Sequence, residues 1–196
     1  MYICQKIKNI KMKKIVFLSL VVITTLSFQS CKKTEDTTTA TTEPPKEVKQ
    51  NFNIQIEATA SKKDDFAVYF TEDNSINFTP ENAVWCGIKA GNLQETLNFE
   101  LTEDRVPTNI RLDFGLNKEQ DSVTIKSVKV NYYANSFEFK GSDFFTYFNK
   151  DEQFKYNVNA AAGTLTLYKK EAEYKTPYFY PSQITNDKVK EITTKK

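Results

Sequence analysis

Arg111 and Asp113 stand two residues apart in the run IRLDF from Ile110 to Phe114. That spacing puts both on one face of a strand and the apolar Ile110, Leu112 and Phe114 on the other. A guanidinium donates hydrogen bonds and a carboxylate accepts them. The pair therefore forms a surface ion pair worth about 0 to 1 kcal/mol, or it offers a donor and an acceptor to the hydroxyls of a sugar held on a sheet. Sugar rings also pack an apolar side against aromatic faces. Tyr69, opposite in parity to Phe66, Val68 and Phe70, is the outward aromatic residue best suited to that contact. Trp85, the single tryptophan, joins it if its strand turns Gly87 outward; in the reversed phase it is buried, the expected state for the largest apolar side chain. The candidate ligand-binding set is thus Tyr69, Trp85, Arg111 and Asp113.

The composition excludes other chemistry. There is no histidine, which removes Ser-His-Asp and Cys-His nucleophiles and imidazole-ligated zinc. The acidic pairs Asp64-Asp65, Glu72-Asp73 and Glu103-Asp104 suit a hard cation or the two carboxylates of a glycosidase, but none has the ligand spacing of a calcium loop. No catalytic residue, metal ligand or cofactor is assigned, and the chain reads as a binder, not an enzyme.

The elements that would position those residues occupy only part of the chain. From Asn51 onward short runs alternate apolar and polar residues, as strands with one buried face do: Phe52 to Ala58, Phe66 to Phe70, the Trp85 run, Leu97 to Leu101, Ile110 to Phe114, Val123 to Tyr132, Phe137 to Phe139, Phe154 to Val158 and Leu165 to Leu167. Val123 and Ile125 differ in parity from Val128, Val130 and Tyr132, which predicts a bulge near Lys126-Ser127. The only helix expected within the domain spans Asp143 to Asn149, capped by Ser142 or Asp143. The aromatic cluster Phe144, Phe145, Tyr147 and Phe148 reads as a plug at one end of the domain, and Tyr178 to Tyr180 as packing on its edge. The expected fold is all-β, an antiparallel jelly-roll-like sandwich of eight or nine strands over residues 51–182, followed by a tail, 183–196, that frays or forms a weak helix.

Before this domain the character changes twice. From Met12, the better natural start, two lysines, an apolar stretch from Ile15 to Phe28 and Ser30 precede Cys31, in the order of a signal peptide over residues 1–30. The apolar stretch falls short of the roughly 20 residues a membrane-spanning helix needs. Residues 31–50 are rich in threonine and charge, hold a Pro-Pro pair and lack aromatic residues, and so read as a disordered linker. Fully extended, the 17 residues from Thr34 to Gln50 reach at most ~60 Å. The formal charge of +2 includes five lysines before Cys31; without them 22 basic residues face 25 acidic ones, a net −3. A mildly acidic domain argues against nucleic acid as a partner. With Cys31 acylated and Cys4 cleaved away, Cys86 has no partner in the chain and reads as a small buried hydrophobe.

Two resemblances add to this. The junction Ser30-Cys31-Lys32-Lys33 resembles the lipoprotein cleavage sites of Bacteroidetes, although Phe28 and Gln29 depart from the usual lipobox. The tract Lys32 to Asp36 is similar to the charged signal that sends some of those lipoproteins to the cell surface. This resemblance implies palmitate-type acylation of Cys31, a membrane partner through the lipid, and an outer-membrane address on the periplasmic face or the cell surface. The stretch Pro107 to Tyr132 resembles a strand pair of carbohydrate-binding-module-like jelly rolls. With DDFAVYFTED and the Trp85 strand, it also resembles a family of flavobacterial lipoprotein and accessory domains. The implied partner is a polysaccharide or, alternatively, another envelope protein contacted by a structural or assembly lipoprotein.

Overall fold

A computed structural model describes residues 51–151, 156–167 and 176–194. The signal-peptide, linker and Cys31 expectations, together with Phe154, lie outside the described residues. The strands are β1 (Asn53–Ala60), β2 (Asp64–Thr71), β3 (Ala83–Ile88), β4 (Glu95–Glu100), β5 (Asn109–Phe114), β6 (Ser122–Tyr132), β7 (Asn135–Lys140), β8 (Phe148–Lys150), β9 (Tyr156–Asn159), β10 (Thr164–Leu167) and β11 (Tyr178–Pro181). They form two antiparallel sheets. One runs β4-β1-β6-β10-β9, with β7 also paired to β6, and the other runs β3-β2-β5-β11-β8. β1 pairs with β6 in the first sheet and β2 with β5 in the second, while β3 and β4 link the sheets at their edge. This nesting is the connectivity of a jelly-roll-like sandwich.

Alternation builds the core. Ile54, Ile56 and Ala58 of β1, Val128 and Val130 of β6, and Leu97 and Phe99 of β4 face Phe66, Val68 and Phe70 of β2, Ile110, Leu112 and Phe114 of β5, and Phe179 of β11, all buried. Each such side chain stabilises the fold by about 1.5–3 kcal/mol through burial. Phe114 is a hub, with Phe66, Phe144 and Phe179 ring centroids at 5.2, 5.8 and 5.5 Å.

The bulge lies where parity placed it. Glu57 pairs with Ser127 and Ala58 with Ile125, so Lys126 is the extra residue, and the apolar sets on both sides of it stay inward. The backbone near Gly141 and Gly163 lies directly on this kink. A Cβ on Gly141 would sit 1.8 Å from the Ile125 carbonyl oxygen, and one on Gly163, whose φ is +60°, 2.5 Å from it. Only a residue without a side chain fits either position.

Three expectations change. Tyr178 to Tyr180 do not lie on an edge: they form β11, hydrogen-bonded between β5 and β8, with Phe179 inward. The helix expected over Asp143 to Asn149 is a 3-10 turn, Gly141–Asp143, followed by α1 (Phe144–Tyr147), without a side-chain cap; Phe148 leaves it at once to enter β8. β8 and β11 account for the two strands beyond the nine alternating runs. The tail takes the helical of its two expected forms, as α2 (Gln183–Thr194), with Thr185, Val189 and Ile192 buried. The plug, by contrast, packs as expected. Phe144 and Phe148 are fully buried and stack at 5.3 Å, and Tyr147 stacks on Phe139 at 3.9 Å.

Candidate functional site

The outward residues of β3, β2, β5 and β11 bring the four candidates together. Cross-strand register puts Trp85 beside Ala67, Ala67 beside Asp113 and Asp113 beside Tyr178. Tyr69 stands beside Arg111 one pleat further along. Arg111 Nε and Nη2 each donate to one Asp113 carboxylate oxygen at 2.8 Å. The pair is less solvated than the sequence suggested: its side chains keep only 16% and 7% of their accessible surface.

Aromatic rings supply that burial. The guanidinium carbon lies 4.4 Å from the Tyr69 ring centroid, 4.7 Å from that of Tyr178 and 5.2 Å from that of Phe78. Rings at this distance attract a cation through their quadrupole. Tyr69 meets Trp85 edge to face at 6.1 Å, while Tyr180 touches Tyr178 at 5.5 Å and Phe78 at 6.0 Å. The result is a strip of rings across the sheet with one guanidinium in its centre.

Trp85 is 40% exposed, which corrects the expectation of burial. Cys86 and Ile88 take the inward phase of β3, so Trp85 and Gly87 point out; β3 is also an edge strand, leaving a single strand neighbour to cover the indole.

Phe78, Tyr178 and Tyr180 belong to the strip but were not among the candidates. Phe78 comes from the loop between β2 and β3, which is folded onto the sheet by two bonds to the Ser75 carbonyl, from Thr71 Oγ1 at 2.7 Å and Asn109 Nδ2 at 3.2 Å. No periodicity marks a loop residue. Tyr178 and Tyr180 were legible as a strand pair with Phe179 between them, since Tyr-Phe-Tyr alternates polar and apolar residues; three residues between prolines made the signal short.

Titration follows burial. Burial, helped by Asp113, raises the Tyr69 phenol above its ordinary range against the opposing pull of Arg111. Tyr178 is pushed up to about 12, first by burial and then by Asp151, to which its hydroxyl is hydrogen-bonded. Burial raises the Asp113 carboxyl while Arg111 pulls it back down. Tyr69 and Tyr178 thus stay neutral through the physiological range, with the Tyr178 hydroxyl engaged by Asp151, and Arg111 keeps three N–H donors beyond the two given to Asp113.

The acidic pairs take other roles. Asp64 Oδ1 accepts from the backbone N–H groups of Asp65, Leu116 and Asn117, and Oδ2 from Gln120 Nε2, so this carboxylate ties two loops together. Glu72 pairs with Arg105 Nε at 2.8 Å and accepts from the Val106 N–H at 2.9 Å. Asp104 Oδ1 accepts from Thr102 Oγ1. Cys86 is buried and disulfide-bonded, which corrects the expectation that it has no partner in the chain. Comparison with family models, curated proteins and solved structures returns no match.

Proposed function

We propose that this chain is a lipoprotein anchored through Cys31 to the outer membrane, on its periplasmic face or the cell surface, and that its β-sandwich is a non-catalytic module recognising glycan at the envelope. The observation that carries the binding reading is the strip of Trp85, Tyr69, Phe78, Tyr178 and Tyr180 around Arg111. Flat aromatic faces suit the apolar side of a sugar ring, and the phenols and guanidinium supply hydrogen bonds to its hydroxyls. A polysaccharide is thus a partner matched to the chemistry of this face.

The test is a glycan array followed by calorimetry on residues 51–196, repeated with Tyr69→Ala and Trp85→Ala. Affinity for at least one polysaccharide, weakened by both substitutions, is the expected result. Failure to bind any polysaccharide overturns the reading. It would favour the alternative, a structural or assembly lipoprotein contacting another envelope protein, because Trp, Tyr and Arg are also the residues that dominate protein contacts.

The anchor has its own test. The other cysteines are Cys4 and Cys31, so the anchored form, with Cys4 removed and the Cys31 sulfur taken by a thioether-linked lipid, gives up the Cys86 disulfide. Acyl labelling lost in Cys31→Ala is the expected outcome; peptide mapping that joins Cys86 to Cys31 or to Cys4 overturns the anchor.

A further inference from the structure

We propose that the strip takes an uncharged glycan chain lying across the strands, from Trp85 on β3 to Tyr178 on β11, and not an acidic or sulfated one. This rests on the glycan reading above and adds the ligand's charge and direction.

The charge argument starts from the outward residues of the four strands. They carry one cation, Arg111, and two carboxylates, Asp113 and Asp65. Arg111 is held by Asp113 through two 2.8 Å bonds, so its charge is already neutralised within the face. Asp65 is exposed and reaches toward Gly87, next to the indole: a Cβ built on Gly87 would lie 3.3 Å from its Oδ1. A uronate or sulfate laid on Trp85 would therefore meet an exposed carboxylate and no unneutralised cation among these residues. Like charges in proximity disfavour binding, and removing Arg111 from Asp113 would leave a buried carboxylate unpaired. A ligand with hydroxyls alone faces neither cost, because phenols and the remaining guanidinium hydrogens are neutral or already compensated donors.

The direction follows from register. Trp85, Ala67, Asp113 and Tyr178 occupy one row perpendicular to the strands. Three strand spacings of about 4.8 Å separate its ends, or ~14 Å. Tyr69 and Arg111 lie one pleat to the side, with Tyr69 6.1 Å from Trp85 and 4.4 Å from Arg111, so the ring faces continue along that row. Parallel to the strands the runs are shorter: beyond Trp85 the same face of β3 holds Ala83 and Gly87, and along β11 the rings are the Tyr178–Tyr180 pair.

The experiment uses the full chain in detergent micelles, titrated with neutral gluco-, xylo- and manno-oligosaccharides of increasing length and, separately, with polygalacturonate, alginate and heparin. The expected result is binding to a neutral oligosaccharide, insensitive to salt between about 0.05 and 0.5 M, because no net charge is paired. Its affinity is expected to exceed that of the corresponding monosaccharide, and to fall in Trp85→Ala, by about tenfold or more in each case. Trp85→Phe keeps a smaller ring, retains an intermediate affinity, and reads the same contact if Trp85→Ala does not fold. Binding confined to the acidic polymers and weakened by salt overturns this inference while leaving the glycan reading intact. Equal affinity for monosaccharide and oligosaccharide, or no loss in either Trp85 variant, overturns the cross-strand row. Binding to none of these glycans overturns both readings.

Discussion

The outer faces of the two sheets are built by the same alternation and solve solvation in opposite ways. On the first sheet, Asn98, Asn53 and Asn131 cross β4, β1 and β6 as an amide row: Asn53 Nδ2 donates to Asn98 Oδ1 at 2.8 Å, and Asn131 Nδ2 to Asn53 Oδ1 at 3.4 Å. Gln55 adds a bond to Asn98, and Asn51 one to Glu100. On the second sheet the corresponding positions hold rings packed around an ion pair. Amides that bond to each other present a surface whose donors and acceptors are already satisfied. The aromatic face leaves apolar area beside the guanidinium hydrogens that Asp113 does not take, which is the combination a ligand can use. The contrast locates the candidate site on one sheet without reference to any single residue.

The most forceful way to break this comparison is to remove the frame that both faces share. Gly141→Ala drives a Cβ into the Ile125 carbonyl at the β6 bulge and is expected to cost about 4 kcal/mol or more, because backbone cannot yield as a side-chain tip can. A urea titration with both faces lost in one transition is the expected observation; a near-wild-type midpoint would show that the crossing relaxes.

The next effect separates the faces. Asp113→Ala leaves the Arg111 guanidinium without its bidentate partner under the rings and is expected to cost about 3 kcal/mol. Asn98→Ala, on the amide face, is expected to cost about 1 kcal/mol, since the buried Asn53 keeps the Phe99 carbonyl and Asn131 as partners. Equal losses measured by chemical denaturation would erase the distinction between a buried ion pair and a row of neutral amides. Replacing both Arg111 and Asp113 by leucine is expected to be near neutral for stability.

Alkaline pH probes the aromatic face through Tyr178. Its folded pKa is raised to about 12 from 10.0. The proton is therefore held more tightly in the folded state, and the stabilisation is complete below pH 10 and lost as pH rises from 10 to 12. The midpoint of chemical denaturation should fall across that window, and less steeply in Tyr178→Phe. Identical slopes would mean that Tyr178 titrates as an exposed phenol.

The smallest effect belongs to the amide side. Lys129 and Glu138 are cross-strand partners on β6 and β7. Glu138→Ala, which removes an exposed charge, is expected to change stability by less than about 0.5 kcal/mol in the same assay.

Legibility in the sequence tracked the length of each periodic run. The eleven residues of β6 carried enough alternation to reveal even the bulge at Lys126, because two apolar sets of opposite parity can both face inward only if one residue is extra. β8 and β11, with three and four residues, carried too little. Their place is decided by Phe148 and Phe179 finding the core beside Phe114 and Phe144, a contact between residues remote in sequence. At the site, the parity of Tyr69, Arg111 and Asp113 was readable and correct. The depth at which the pair sits was not, because Phe78 and Tyr178 arrive from a loop and a distant strand.

What the amino-acid order determined by itself is which side chains share a face, since a strand has a period of two and the apolar residues must be on the inner side. It determined as well the absence of imidazole chemistry and the composition change at Asn51. What only the tertiary structure decided is which strands become neighbours. That choice set Trp85 outward on an edge strand and brought Tyr178 to Arg111, turning a pair expected to be solvated into a shielded charge within a ring of aromatic side chains. Cross-strand adjacency depends on how the whole core closes, and no local window contains it.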